Sequence, residues 1–381
     1  MICRVLIFTL VFCLHSFGSR GQIIDVGLFT NTQLKRVIVV PEYEGCEFYG
    51  DGIRISKLFE NDGLQLQIEN GKISLKSLSG DFGSYTEVEF RGLTAKSILN
   101  VKGIIPVTLG YPYNDLIKVR IYNGYLQIVN HVNIENYVGG VVEAEAGKER
   151  NVEFYKVQSI ISRTYALTNF RRHIKEGFQL CDQVHCQVYQ GKSRYEPLIP
   201  IGVAKTRGIV IVDYDIALIT ASFSSNCGGK TRNSEEVWSK PLSYLRSVTD
   251  TFCLNGDHAT WEKTIGKTQW ENYKKKNTID PTFSSGKGAS MDDTFSEFLY
   301  GKQDLNAIRK HFKLNSTRFV IEEKTDSITF LGRGFGHGVG LCQEGAIRMA
   351  ELGYSYKETL EFYYTGIHFI QLKNLNFFKW D

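Results

Sequence analysis

The sequence predicts an α+β fold in which strands and helices occupy separate blocks of the chain. Residues 22–132 alternate apolar and polar side chains, with Gly, Asn and Asp at the breaks, which is typical of consecutive half-buried strands. From Asn133 to Gly177 the apolar period becomes helical, in two segments split near Gly147. Because strands and helices do not alternate regularly, a doubly wound parallel sheet is not expected.

The individual elements follow in chain order. The clearest early strands are Arg36–Val40, Leu64–Ile68, Ile117–Ile121 and Tyr125–Val129. After the helix pair, strand-like runs return at Gly208–Val212 and Ala217–Phe223. A Lys-rich and then Pro/Ser/Gly-rich segment, 274–293, predicts a flexible surface excursion. A short helix, a strand at Arg318–Glu322, a glycine-rich loop and a final helical pattern close the chain. We therefore divide it into a β-rich N-terminal region (22–132) and a core region (133–381).

The first 21 residues have the pattern of a cleavable signal peptide. Arg4 provides a short positive region, an apolar run of about ten residues follows from Val5 to Leu14, and small residues come next. Such a run is too short to span a bilayer. A lipoprotein signal would use Cys13, but Phe12 stands where a small residue is needed. We expect export to the periplasm or cell envelope, with no transmembrane anchor after cleavage.

The net charge gives no support for nucleic-acid binding. A formal charge of +4 on 381 residues is close to neutral, whereas nucleic-acid binding needs a clustered basic face. The glycine spacing at 332–340 fails the dinucleotide pattern. Gly229-Lys-Thr fails the Walker A pattern, because Ser224 stands where the first glycine is needed. A phosphate-binding loop is therefore not expected.

The first predicted helix directs one carboxylate toward the buried side. Asn133 is a good N-cap, and apolar residues recur at helical spacing at Ile134, Tyr137, Val138, Val141 and Val142. Glu145 lies about 1100° of rotation after Ile134, on nearly the same face, whereas Glu143 falls about 180° away and should face solvent. Burial raises the pKa of a carboxyl group, which can then act as a general acid. A frayed last turn, or a pair with Arg163, would explain Glu145 equally well.

Four blocks of the sequence carry a family resemblance. A Tyr-x-x-Gly-Val-Val stretch precedes Glu145, Arg-Thr-Tyr-Ala follows at 163–166, a Ser/Gly segment occupies 221–231 before Trp238, and residues 334–343 are Gly-Phe-Gly-His-Gly-Val-Gly-Leu-Cys-Gln. In this order they resemble the stage II sporulation protein D family of lytic transglycosylases. One departure is Glu143, which stands where the family usually has proline.

The resemblance implies cleavage of peptidoglycan glycan strands. Glu145 would act first as general acid and then as general base, which gives a 1,6-anhydro-N-acetylmuramic acid product without a cofactor. The sequence indicates only one catalytic carboxylate, Glu145, whereas hydrolytic glycosidases use two. The alternative, also found among relatives, is a non-catalytic peptidoglycan-binding protein that enhances a cell-wall amidase.

Several further residues are candidates for contact with the sugar. Arg163, Trp238, His337 and Gln343 lie in the resembling blocks and are the predicted substrate-binding residues. Tyr244 and Trp261 join Trp238 as aromatic residues that could stack on a pyranose ring if they are exposed. His337 could equally stabilise its own loop.

The cysteines allow more than one structural role. The segment from His173 through Cys181 to Cys186 has the residue types of a zinc site, although its spacing fits the usual zinc motifs poorly. A structural zinc on Cys181, Cys186 and His173, a local Cys181–Cys186 disulfide and free thiols all remain open. A further alternative is that the chain is a structural zinc protein of the cell envelope. Cys227 and Cys253 flank the Trp238 region and are the preferred disulfide.

Overall fold

The structure is a computed structural model that describes residues 22–238, 240–277 and 302–375. The predicted signal peptide lies outside the described residues, and so do residues 278–293 of the predicted excursion. Within the described part, strands and helices lie in separate blocks, so the predicted α+β class is confirmed.

The N-terminal part of the described chain consists of strands. Twelve strands precede the first helix: β1 (Ile23–Leu28), β2 (Arg36–Tyr43), β3 (Cys46–Gly50), β4 (Ile53–Leu58), β5 (Leu64–Glu69), β6 (Lys72–Ser77), β7 (Gly80–Tyr85), β8 (Glu87–Gly92), β9 (Ile98–Ile105), β10 (Val107–Tyr113), β11 (Leu116–Tyr122) and β12 (Tyr125–Asn133). The four predicted early strands lie within β2, β5, β11 and β12.

These strands form two sheets. One has the order β13-β1-β12-β11-β8-β3-β4, in which β13 (Leu180–Cys181) joins β1 in parallel. The other has the order β10-β9-β2-β5-β6-β7 and is antiparallel throughout. Because β13 belongs to the first sheet, the chain after the helix pair returns to the N-terminal strands.

The predicted helix pair is present. Helix α1 (Ile134–Ala146) begins after Asn133, whose side chain accepts a hydrogen bond from the Glu135 amide, and ends at Gly147 with φ of 72°. Helix α2 (Val152–Thr168) is capped by Asn151, whose side chain accepts from the Phe154 amide. Both helices pack against the strands in one hydrophobic core.

The remaining described elements are short. They are a 3-10 helix (Ile174–Glu176), α3 (Leu198–Lys205), β14 (Ile209–Val212), β15 (Phe223–Ser224), α4 (Ser234–Val237), β16 (Thr260–Gly266), α5 (Lys267–Asn277), α6 (Lys302–Phe312), β17 (Phe319–Glu323), β18 (Ser327–Arg333), β19 (Leu341–Cys342), α7 (Gln343–Glu351), α8 (Tyr356–Tyr363), β20 (His368–Gln371) and a 3-10 helix (Leu372–Asn374).

Two predicted elements differ from the structure. Of the strand predicted at Ala217–Phe223, only Phe223 lies in a strand. The backbone of this segment makes only scattered backbone hydrogen bonds, such as the Ile219 amide to the Ile211 carbonyl. Side chains provide other partners, because the Thr220 amide donates to the Tyr244 hydroxyl and the Ser222 carbonyl accepts from the Tyr364 hydroxyl. The excursion predicted from residue 274 begins instead as the last turn of α5.

The described chain has two hydrophobic cores. The larger one joins buried residues of β1–β6 and β8–β12 to those of α1, α2, α7 and α8, so residues on both sides of Asn133 share it. The smaller one is formed by β16, α5, α6, β17 and β18. Strand β18 leads directly into the glycine-rich loop at 334–340, so the smaller core supports one end of that loop.

Candidate functional site

Glu145 lies in the last turn of α1 with its side chain partly buried. Its Oε1 atom accepts a hydrogen bond from the Val188 amide at 2.9 Å. Burial raises the pKa of this carboxyl group above its ordinary value, and the Val188 hydrogen bond opposes the rise. The carboxyl group is therefore held in one position and biased toward its protonated form.

Glu143 does not face solvent as the helical count predicted. It is partly buried, and its carboxylate accepts hydrogen bonds from the Ser193 hydroxyl at 2.7 Å and from the Arg194 and Tyr195 amides. The reason is that the loop following β13 returns across α1 and covers that side of the helix. Glu143 thus anchors a loop, and its oxygens are already used as acceptors.

Gln343 connects the glycine-rich loop to the Glu145 helix. It is the first residue of α7, and its Nε2 atom donates to the Glu145 backbone carbonyl at 3.1 Å and to Gln158 Oε1 at 3.3 Å. The start of α7 therefore meets the end of α1 and one face of α2. Gln343 stabilises the backbone that carries the carboxyl group.

His337 lies in the glycine-rich loop beside Trp238. Its Nδ1 atom accepts a hydrogen bond from the Val339 amide at 3.0 Å. The centres of the His337 and Trp238 rings are 5.0 Å apart. Burial, with a smaller effect of nearby Arg309 and Arg232, lowers the pKa of His337 to about 4, so the imidazole is neutral near pH 7. Trp238 is 39% exposed and presents part of its ring to solvent.

The loop needs glycine where it crosses the Ser/Gly segment. Gly340 has φ of 75°, and a Cβ atom there would lie 2.1 Å from the Ser222 carbonyl oxygen. Gly336 has φ of 116°, a conformation that other residues rarely adopt. The loop therefore packs directly on the backbone of residues 222–224.

Arg163 is not positioned to contact a sugar. Its side chain is completely buried, and its guanidinium group bonds to both carboxylate oxygens of Glu135, at 3.1 and 2.6 Å, and to the Ile209 carbonyl at 3.0 Å. It joins the start of α1 to α2 and β14, because a buried guanidinium group must be paired. The pair with Glu145 that the sequence left open does not form.

The other two aromatic candidates are less exposed than Trp238, since Tyr244 is buried and Trp261 is partly buried. Tyr244 is buried, and its hydroxyl accepts from the Thr220 amide. Trp261 lies in β16 against the smaller core and donates from Nε1 to the Ser316 hydroxyl at 3.2 Å. Trp238 is the one of the three that offers an exposed ring.

The structure brings the predicted zinc ligands together and adds one. The ligand atoms of His173, Cys181, His185 and Cys186 all lie within 4.8 Å of one another. His185 belongs to the predicted segment but not to the predicted ligand set. His173 Nδ1 bonds to Glu176, while its Nε2 atom is buried with no hydrogen-bond partner among the described residues. Two thiols and two imidazoles, one of them with an unsatisfied ring nitrogen, fit a tetrahedral zinc ion.

The preferred disulfide is not formed in this structure. Cys227 and Cys253 are free thiols whose Sγ atoms are 3.5 Å apart, well beyond the bonded distance of about 2.05 Å. They lie with Asp250 and Cys342 in one buried cluster.

A polar pair beside Gln343 also escaped the sequence analysis. His258 and Glu344 are paired, and Asn226 donates to Glu344 at 2.7 Å. No short-range pattern links these three residues, because they come from distant segments.

These features define a class: an α+β protein with a partly buried carboxyl group at a helix end, joined through a glycine-rich loop to an exposed tryptophan. A family model described as Stage II sporulation protein matches residues 122–213. The chain belongs to the stage II sporulation protein D family. None of its described helices is long and apolar enough to cross a membrane.

Three relatives illustrate the similarity. The chain is 31% identical over 276 residues to an uncharacterised protein of Brachyspira hyodysenteriae, covering 70% of this chain and 74% of that protein. It is 29% identical over 269 residues to stage II sporulation protein D of Bacillus subtilis, covering 66% and 78%. It is also 29% identical over 287 residues to the amidase enhancer of Bacillus subtilis, covering 60% of this chain but 39% of that protein.

Proposed function

We propose that this chain is an exported lytic transglycosylase that cleaves the glycan strands of peptidoglycan, with Glu145 as its catalytic residue. The observation that carries the proposal is the position of Glu145: one partly buried carboxyl group with a raised pKa, held by the Val188 amide at the end of α1. Family membership and relatives named for sporulation and for amidase enhancement support a substrate in the cell wall.

The proposed reaction uses one carboxyl group twice. Protonated Glu145 gives its proton to the bridging oxygen as the bond from that oxygen to C1 of N-acetylmuramic acid breaks. The resulting carboxylate then accepts the proton of the 6-hydroxyl group of the same sugar, as O6 bonds to C1. Because this hydroxyl group is part of the substrate, no separately bound nucleophile is required.

The surrounding groups suit this use of Glu145. Gln343 fixes the backbone of Glu145, while Val188 fixes one carboxylate oxygen. The exposed face of Trp238 beside neutral His337 suits stacking on a pyranose ring. A pre-positioned acid and a flat apolar surface are the two parts that glycan cleavage needs from this chain.

The first test replaces the carboxyl group. Glu145→Gln keeps the shape of the side chain but cannot donate and recover a proton, so cleavage of glycan strands should fall by at least about 100-fold. Glu143→Gln is the matched control two residues away and should keep most of the activity, with a small fall in melting temperature from its weakened loop contacts. A dead Glu143→Gln variant with an active Glu145→Gln variant would overturn the assignment.

The second test identifies the product. Mass spectrometry of digested glycan strands should show anhydro-muramyl ends that are lighter by one water than hydrolysed ends and resist borohydride reduction. Strands with and without stem peptides should both be tested. Reducing muramyl ends would instead show hydrolysis, which requires a group that activates water.

The alternative function is enhancement of an amidase. The similarity to a protein named amidase enhancer favours it, and a peptidoglycan-binding protein could use Trp238 and the loop without Glu145. Under this alternative, the chain alone would release no glycan fragments, and both wild type and Glu145→Gln would raise the rate of an added cell-wall amidase.

We further propose that His173, Cys181, His185 and Cys186 hold a structural zinc ion. The Cys186 ligand lies two residues before Val188, so the ion would stabilise the segment whose amide holds Glu145. Zinc content should fall by about one equivalent in Cys181→Ser/Cys186→Ser. Unchanged zinc content, or a Cys181–Cys186 disulfide in the purified chain, would refute this site.

A further inference from the structure

A second group of metal-binding side chains lies in the larger core. Cys227, Asp250, Cys253 and Cys342 come from three separate segments, and their ligand atoms all lie within 4.8 Å of one another. We call these four residues the cysteine–aspartate cluster. The Cys227 sulfur is 3.5 Å from the Cys253 sulfur and 3.3 Å from Asp250 Oδ2. All four residues are buried.

These separations match the edges of a metal tetrahedron. With Zn–S bonds of about 2.3 Å and Zn–O bonds of about 2.0–2.2 Å, tetrahedral geometry places two sulfurs about 3.8 Å apart and a sulfur and an oxygen about 3.5 Å apart. Ordinary non-bonded packing does not require three thiols and a carboxylate to point at one centre. We propose that the cysteine–aspartate cluster binds one structural zinc ion.

The cluster is closed, as structural zinc sites are. The four side chains supply four ligands, so no position remains for water or substrate. On binding, the three thiols release their protons to solvent and coordinate as thiolates. The ion therefore has a structural role distinct from the proposed glycan chemistry.

Outer contacts already orient the ligands. The Tyr363 hydroxyl donates to Asp250 Oδ2 at 2.9 Å, and the Phe252 amide donates to Oδ1 at 3.0 Å. The Cys227 amide approaches the Cys342 sulfur at 3.3 Å. Such second contacts are typical of metal ligands, because they fix the donor atoms before the ion arrives.

The charge of the cluster also favours a cation. Asp250 has an exposed fraction of 0%, and a buried carboxylate is costly unless its charge is compensated. Arg318 lies beside the cluster and donates to the Cys227 carbonyl, which supplies one positive charge. A divalent ion would compensate the carboxylate and thiolates directly.

A Cys227–Cys253 disulfide accounts for less of the arrangement. It would not involve the Cys342 thiol or compensate the charge of the buried Asp250 carboxylate, and the sulfurs would have to approach from 3.5 Å to about 2.05 Å. A zinc ion would be coordinated by all four side chains in their present positions.

The position of the cluster means that the ion would also support the glycine-rich loop. Cys342 directly precedes Gln343, which holds the Glu145 carbonyl, and Cys227 lies in the Ser/Gly segment that contacts the glycine-rich loop. An ion bound here would join both segments to residues 250–253. Removing it should loosen the loop that carries His337.

The test measures zinc in the full chain, purified without chelator, by elemental analysis. To exclude the histidine-containing site, the measurement is made in the Cys181→Ser/Cys186→Ser background, where about one equivalent of zinc should remain. Adding Asp250→Asn or Cys342→Ser should remove it. Adding Cys46→Ser should not, because Cys46 is a buried free thiol outside both clusters.

A second measurement does not require the Asp250→Asn or Cys342→Ser variants to fold. In that Cys181→Ser/Cys186→Ser chain, alkylation of Cys227, Cys253 and Cys342, mapped by mass spectrometry, should be slow with zinc bound and at least about tenfold faster after chelation. Cobalt substitution should give the charge-transfer absorption of thiolate ligands. Absence of zinc in that background, alkylation rates that chelation does not change, or a Cys227–Cys253 disulfide would overturn the proposal, whether or not the chain cleaves glycan.

Discussion

Two glutamates that are two residues apart have opposite roles in α1. Glu143 accepts hydrogen bonds from the Ser193 hydroxyl and the amides of residues 194 and 195, whereas Glu145 accepts one among the described residues, from the Val188 amide. The difference comes from what covers each side of the helix. Burial raises the pKa of the Glu145 carboxyl group, and the Val188 hydrogen bond opposes the rise.

The raised pKa of Glu145 predicts how stability depends on pH. A group whose pKa is higher in the folded chain stabilises it fully below the unfolded value of about 4.3. That contribution is lost as the pH rises through the folded pKa. We therefore expect wild type to lose stability relative to Glu145→Gln over this range, as measured by melting temperature against pH. Parallel curves for the two proteins would contradict the raised pKa.

His337 supports both its loop and the Trp238 contact, and two substitutions separate these roles. His337→Ala removes the acceptor of the Val339 amide, so it should cost about 1–3 kcal/mol in unfolding free energy and reduce turnover. His337→Asn supplies an oxygen acceptor at a similar position. It should recover most of the melting temperature but not the turnover, measured as kcat/KM on glycan strands. Recovery of both by Asn would limit His337 to supporting its loop.

At the scale of the element, α1 depends on one close backbone contact. A Cβ atom at Gly140 would lie 1.9 Å from the Gly191 carbonyl oxygen and 2.7 Å from the Tyr189 ring, whereas one at Gly139 would meet nothing within 4 Å. The residues at 189–191 directly follow Val188, which holds the Glu145 carboxyl group. Gly139 and Gly140 therefore allow a matched comparison, because an added side chain has free space at one position and a close contact at the other.

Alanine at these two positions should have opposite effects. Gly139→Ala should stabilise the chain by about 0.5–1 kcal/mol, because glycine is unfavourable inside a helix. Gly140→Ala should destabilise it by about 1–3 kcal/mol through overpacking and lower activity by moving Val188. Denaturant unfolding and glycan cleavage measure the two effects. Equal stabilities for the two variants would show that α1 and the 189–191 segment do not pack as described.

In the molecule as a whole, the two hydrophobic cores of the described chain differ in size. The smaller core contains Phe330, which is fully buried against Trp270, Phe312 and Phe319. It touches the site through β18, which continues into the glycine-rich loop. Local stability often follows such separate packing units.

Disrupting the smaller core should affect only part of the molecule. Phe330→Ala should cost about 3–5 kcal/mol and speed hydrogen exchange in β16, β17, β18 and the glycine-rich loop, with little change in β1 and β12. Phe48→Ala, at an equally buried position in the larger core, is the control and should speed exchange in the N-terminal strands. Uniform acceleration by Phe330→Ala would show one cooperative unit.

Much of the fold follows from short stretches of sequence. Asn133 and Gly147 set the limits of α1, and alternating residues predict strands such as β5 and β11, because capping, glycine conformation and side-chain periodicity depend on neighbours within a few residues. The same periodicity directed Glu145 toward the interior. These features were decided locally, and the structure agrees with them.

The partners of the polar side chains depend on the packing of distant segments. The Val188 amide lies 43 residues from Glu145, and the Arg163 side chain pairs with Glu135 across 28 residues. Cys342 joins Cys227 across 115 residues. A polar side chain does not encode its partner in its neighbours, since the partner is whichever group packing brings within about 3 Å. The sequence alone determined which residues could do chemistry, and the packing of distant segments determined which of them meet.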